Sequence, residues 1–169
     1  MEKIIGSTVV PLNSRFNSIR TRETNLGNFI ADTIRHSVSC DVVILNSGTL
    51  RADEVTPIGV LRARWLVKLL PMIDEMCVLE IDGKTLKEAL ECGVSMWPRL
   101  EGRFPLISGM RFEFDGTKPS GNRVTKVVVA GKPLELSRTY RLCTKEYIAG
   151  GKDGYVMFPR CKILMDGET

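Results

Sequence analysis

The chain has 169 residues, of which 43 % are hydrophobic and 26 % charged, a length and balance that fit one globular domain with a sizeable core. Its formal net charge of +4 comes from 24 basic residues interleaved with 20 acidic ones, so no cationic stripe points to nucleic acid. No apolar run approaches the roughly 20 residues that a membrane-spanning helix needs, and the first dozen residues lack the charged-then-apolar pattern of a signal peptide.

In chain order, residues 1–19 read as an extended entry segment, with Thr8–Leu12 an edge strand interrupted by Pro11. Arg20 to Asn28 then reads as a polar and cationic loop that turns into a helix. Thr24 is its N-cap, and Leu26, Phe29, Ile30, Ile34 and Val38 form one apolar face over 24–38. Gly27 in the first turn is a poor helix former, tolerable where something packs close to the backbone. Residues 41–45 form a buried strand ending in the turn-forming loop 46–51, the edge at which open sheets with parallel strands commonly hold ligands. A helix is expected over 58–70, stopped by Pro71, with Arg62 near its start and no side-chain cap. A strand over 76–81 and a turn at Asp82-Gly83 come next. Thr85-Leu-Lys-Glu88 reads as a capping box for a helix to about Met96. Strands over 110–114 and 124–129, joined by a hairpin-like connection, precede a strand over 140–144 and the three-glycine loop 146–155. The last ten residues read as a strand end and a frayed tail. The mixture gives an α+β fold class: a single domain with a mixed β-sheet and packed helices.

The residue inventory removes much chemistry. A two-metal site needs clustered Asp, His and Asn ligands, and the single histidine, His36, lies on the polar side of a helix. The same shortage argues against a Cys–His nucleophile and a Ser-His-Asp triad, and no phosphate-loop, GxSxG or GxGxxG pattern occurs. The five cysteines are single and odd in number, and four lie in or beside apolar runs, so they read as small core residues in a reducing, intracellular setting. What remains is binding chemistry. Arg20 and Arg51 sit in loops at element ends, where a guanidinium fork can hold phosphate or carboxylate, or pair on the surface. Tyr147 can stack on a planar ring or pack in the core. Asp153 can accept two sugar hydroxyls or cap its turn.

Five blocks in order, RETNLGNFIAD (22–32), ILNSGTLRA (44–52), LLP (69–71), EGRFPLISGMRFEFD (101–115) and YIAGGKDGY (147–155), resemble the C-terminal domain of 5'-nucleotidases over residues 15–158. The resemblance implies a fold, 5'-nucleotidase C-terminal-like over 1–169, and a nucleotide-recognition role within a two-domain hydrolase of nucleoside 5'-phosphates. In it, an N-terminal metallophosphoesterase domain carries two divalent metals and performs the hydrolysis. That domain is expected to be the partner of this chain, which is then part of a longer product, holds no cofactor itself and is not expected to hydrolyse alone. Carried over position by position, the resemblance gives Arg20 and Arg51 to the substrate's phosphate, Asn46 to base and ribose, Asp153 to the ribose hydroxyls and Tyr147 to one face of the base. Gly109 falls where backbone approaches the base, and Met72 stands where a second aromatic is usual. NSGTLR replaces an NGGGIR-like turn, with Ser47 and Thr49 narrowing its backbone choices, and GGKDGY adds Lys152 beside Asp153. A different reading, of a stand-alone, non-catalytic binding domain drifted at its base site, rests on Met72 and the altered turn.

Overall fold

The computed structural model describes residues 2–166. The chain begins with strands β1 (Ile4–Thr8) and β2 (Leu12–Asn13), a single helical turn α1 (Phe16–Ile19) and the helix α2 (Asn25–Ser37). Strands β3 (Val42–Asn46), β4 (Val55–Thr56) and β5 (Gly59–Arg62) lead to α3 (Ala63–Leu69), β6 (Met76–Asp82) and α4 (Gly83–Val94). Strands β7 (Pro105–Ser108), β8 (Met110–Phe114), β9 (Val124–Val129), β10 (Lys132–Pro133) and β11 (Thr139–Lys145), the turn α5 (Glu146–Ala149) and β12 (Lys162–Met165) complete it. The frayed tail expected beyond β12 falls on 167–169, outside the described residues.

The central sheet has five strands in the order β12-β6-β11-β3-β7. Only β11 and β3 run parallel, Leu142 opposite Val42 and Cys143 opposite Val43; the other pairings are antiparallel. Every residue of β3 is buried, so its continuous apolar run serves both faces. Val43 and Leu45 pack with Leu26, Ile30 and Ala31 of α2; Val42 and Ile44 pack with Leu86 and Leu90 of α4 and with Val127 of the β8–β9 hairpin. The sheet is thus a layer between α2 on one side and α4 with the hairpin on the other.

Local chemistry explains the element ends. Thr24 caps α2 by accepting the Gly27 N–H at 3.1 Å. A Cβ at Gly27 would stand 3.0 Å from Leu106 Cδ2, a tight approach that matches the close packing expected from the sequence. The apolar face is narrower than its spacing suggested: Phe29 is 49 % exposed. The helix expected over 58–70 is half strand. Gly59–Arg62 pairs antiparallel with β1, and Gly59 has φ +136°, which no helix accepts. The helical part starts only at Ala63, with an extended Arg62 as its N-cap and no side-chain bond, so the missing cap was legible. The capping box at Thr85 is corrected too. Asp82 is the cap, accepting the Thr85 N–H at 2.7 Å, and Gly83 is the first helical residue instead of part of a turn. The helix also ends at Val94, short of Met96.

Candidate functional site

Because β3 and β11 are parallel, their C-terminal ends, Asn46 and Lys145, emerge at one edge of the sheet. Beyond Asn46 the chain makes a tight turn (Ser47–Thr49) stitched to the 101–104 segment. Ser47 N–H donates to the Phe104 carbonyl at 2.8 Å, Gly48 N–H to the Gly102 carbonyl at 2.9 Å, and Ser47 Oγ to the same Gly102 oxygen at 3.1 Å. The serine and threonine that replace glycines in this turn therefore have bonding roles. Thr49 Oγ1 donates to Asn46 Oδ1 at 2.8 Å.

Beyond Lys145, the turn α5 carries Tyr147, and the glycine-rich loop returns Asp153 to the same edge. Asp153 is a non-glycine residue in the left-handed region, φ 54°, a sparsely populated conformation that persists only where its surroundings hold it. Two donors do so: Asn46 Nδ2 reaches Asp153 Oδ2 at 2.7 Å, and the Tyr147 hydroxyl reaches Oδ1 at 3.1 Å. Tyr147 is 46 % exposed, so its ring is open to solvent and not a core residue. Partial burial first, then the Asp153 carboxylate, raise its phenol above the ordinary value, which keeps it a donor. Behind the loop, the fully buried Tyr155 stacks on Phe158 and donates to the Arg103 carbonyl at 2.8 Å.

Arg20 ends α1, whose first N–H is held by Asp53 Oδ1 at 2.7 Å. Its guanidinium lies 3.9 Å from the Phe16 ring centre and donates to the Leu100 carbonyl at 3.0 Å, while its buried Nε has no partner. Burial first, and then the nearby charge of Arg51, push Arg20 below the usual guanidinium range. Arg51, exposed, carries enough field at Tyr147 to oppose that residue's shift. Among the described residues neither arginine forms an ion pair. Asp53, Glu101 and Asp153 act on Arg20 in the opposite sense to Arg51, so the two arginines stand in a mixed field, one of them with an unspent buried donor.

The structure thus brings Arg20, Arg51, Asn46, Tyr147 and Asp153 to one edge. Met72 is 66 % exposed on the 71–75 loop, which is tied to the same edge by the ion pair between Asp74 Oδ2 and Lys145 Nζ at 2.7 Å. Gly109 is elsewhere. Ser108 lies opposite Val43 whereas Pro105 lies opposite Asn46, so Gly109 stands roughly 13 Å back along the strand from the edge. Its φ of +77° and the 2.1 Å that would separate a Cβ from the Asp41 carbonyl explain the glycine without any ligand. A cavity of about 640 Å³ lies on that side too, between the start of α2 and strands β7–β9, with Asp32 and Ser108 on its wall bonded to each other. Lys152 is exposed and makes no ion pair with Asp153 among the described residues. Lys145 and Asp74 escaped the sequence reading altogether; the available signal was a lysine closing the apolar strand run before Tyr147. Among the described residues no group of three or more His, Cys, Asp or Glu could hold a metal ion, and no helix is long and apolar enough to cross a membrane.

Comparison with known proteins identifies the fold. The family profile described as "5'-nucleotidase, C-terminal domain" matches residues 4–160. The trifunctional nucleotide phosphoesterase protein YfkN of Bacillus subtilis (strain 168) is 31 % identical over 163 residues, covering 91 % of this chain and 11 % of that protein. A 5'-nucleotidase of Diplobatis ommata is 30 % identical over 188 residues, 99 % of this chain and 33 % of its own length. The crystal structure of a 5'-nucleotidase precursor from Thermus thermophilus superposes with a TM-score of 0.90 at 32 % identity, over 98 % of this chain and 34 % of that one. The chain therefore spans about a third or less of these relatives. With the profile covering nearly its whole length and the fold matching in detail, the chain belongs to the 5'-nucleotidase family, as its C-terminal domain.

Proposed function

We propose that this domain recognises a nucleoside 5'-phosphate and presents it to a separate, metal-bearing phosphoesterase domain. The observation that carries the reading is the convergence of two arginines, neither in an ion pair among the described residues, with a doubly held carboxylate and an open tyrosine ring at one sheet edge. Each group suits one part of such a ligand. The guanidinium forks of Arg20 and Arg51 match phosphate oxygens, and an anion there relieves their mutual repulsion. Asp153 spends one lone pair of each oxygen on Asn46 and Tyr147 and keeps the others for ribose hydroxyls. The Tyr147 ring offers a face to the base. The hydrolysis itself belongs to the partner domain, with its two divalent metals; this chain's part is to bind, orient and neutralise the phosphate.

A second reading, of a binding domain that has drifted at its base site, is favoured by one observation. The 71–75 loop offers this edge Met72 and the fully exposed Ile73 in place of a second aromatic, and a thioether contacts a ring more softly than an aromatic does. Calorimetric titration of this chain with adenosine monophosphate, beside Tyr147→Ala and Arg20→Ala, separates the readings. The nucleotide-recognition domain binds on the order of 0.1–1 mM, and both variants lose the signal. Binding that survives both substitutions overturns the site; no binding to the folded wild-type chain favours the drifted domain.

A further inference from the structure

Lys145 is a buried lysine in contact with the site and without a role in the reading above. Its side chain is 7 % exposed, and its ammonium lies 2.7 Å from Asp74 Oδ2, 3.0 Å from Thr49 Oγ1 and 5.5 Å from the centre of the Tyr147 ring. Three contacts of this kind leave the ammonium fully engaged, and each contact leads to a different part of the edge. Asp74 closes the loop that carries Met72, Tyr147 is the exposed ring, and Thr49 is bonded to Asn46.

The direction of the bonds is what matters. An ammonium only donates, so Thr49 Oγ1 must accept from it. The one hydroxyl proton of Thr49 then goes to Asn46 Oδ1, at 2.8 Å, which leaves Asn46 Nδ2 to donate to Asp153 Oδ2 at 2.7 Å. The chain starts at a group that can only donate and ends at a carboxylate, so it has one polarity and no alternative, and each bond polarises the next. All three links are buried or half-buried, where such a chain is worth more than in water.

We propose that Lys145 is a positioning residue that, through Thr49, fixes the Asn46 amide and with it the orientation of the Asp153 carboxylate, so that the site prefers ligands bearing a vicinal diol. The proposal rests on the reading of this edge as a nucleotide site, and it names Lys145 and Thr49 as the source of ribose selectivity. Without Lys145 the Thr49 hydroxyl is free to rotate, the Asn46 amide is held from one side only, and Asp153 loses the fixed lone-pair directions that a diol needs.

The test compares adenosine monophosphate with its 2'-deoxy analogue on the whole chain and on K145M, T49V and T49S, with circular dichroism and thermal melting to establish that each variant is folded. The wild-type chain favours the ribonucleotide by about tenfold, the scale of one well-formed hydrogen bond to a charged group. K145M and T49V reduce that ratio to about threefold or less. T49S keeps the wild-type ratio, because it retains the hydroxyl. T49V is nearly isosteric and carries no charge change, so it decides the matter if K145M fails to fold. An unchanged ratio in folded T49V, or equal weakening of both ligands, overturns the proposal. If the wild-type chain binds neither nucleotide, the reading of the site fails by itself, and the relay is judged without ligand. The exchange rate of the Asn46 side-chain amide protons, followed by NMR, then rises severalfold in K145M or T49V if the relay exists, and stays unchanged if it does not.

Discussion

Tyr155 offers a clean measurement of what holds the Asp153 loop against the core. Its side chain is 0 % exposed, its ring stacks on Phe158 at 5.3 Å and 15°, and its hydroxyl donates to the Arg103 carbonyl at 2.8 Å. Burial, then the fields of Cys92 and Asp153, push the phenol well above its ordinary value, so it remains a donor at any working pH. Tyr155→Phe keeps the ring and the stack but leaves a buried carbonyl without its donor, at a cost of about 1–3 kcal/mol. Tyr155→Ala removes the ring as well, which adds about 3–5 kcal/mol for the emptied space. For a chain of this size each kcal/mol lowers Tm by about 2–4 °C, so the Phe variant melts roughly 2–12 °C early. Urea unfolding at neutral pH reads both values from the midpoint, provided the slope is unchanged. A loss below about 0.5 kcal/mol in Tyr155→Phe would show that Arg103 finds another partner, and the loop's anchoring would need a different account.

Two further outcomes follow from ionisable groups. The bonds that Asp82 accepts from Thr85, backbone first and side chain second, hold its carboxyl below the usual value. A depressed folded value means the cap's contribution is present above the unfolded value of about 3.9 and is lost as pH falls through the folded one. Asp82→Ala is therefore less stable than wild type by up to about 1 kcal/mol at pH 7, and the gap narrows as pH falls below the unfolded value; a gap that does not narrow on acidification contradicts the capping assignment. The Cys143 thiol, buried and itself raised, donates to Cys40 and lowers the half-buried Cys40 to about 7, against the opposing effect of burial and with help from Arg35. Iodoacetamide accordingly labels Cys40 first, with a rate midpoint near pH 7 that Cys143→Ala moves upward. Labelling no faster than at Cys92 or Cys161, both raised by burial, would contradict the pairing.

Much of this molecule was readable before its structure, and the reasons differ by element. Thr24 and the α2 stripe obey local rules of capping and period, so the sequence alone shows them, down to the crowding at Gly27. The strand β3 is legible because burial on both faces demands an unbroken apolar run. Residues 59–62 were not legible as a strand, because what makes them one is β1, more than fifty residues away, and a backbone angle at Gly59. At the site, Arg20, Arg51, Tyr147 and Asp153 announce themselves as polar or aromatic groups at element ends. Lys145 does not, since its importance comes from the neighbours that bury it, Asp74 and Thr49, and not from any local pattern. Gly109 shows how one signal can have two causes: a glycine required by a strand-to-strand turn looks the same in sequence as one that makes room for a ligand.

The contacts of this edge span most of the chain. Asn46 meets Asp153 across 107 residues, and Lys145 meets Thr49 across 96. Closing loops of that length before any contact rewards them is slow, and the sheet that brings the ends together must already be ordered. The edge is complete only when the parallel β3–β11 pairing and the loops beyond it are in place. Any ligand held there binds the native state alone, and at a hundredfold excess over its dissociation constant adds about 2.7 kcal/mol to the stability of the whole domain. Amide exchange in strands of the separate hairpin sheet, β8 and β9, would slow in step with those that touch the ligand.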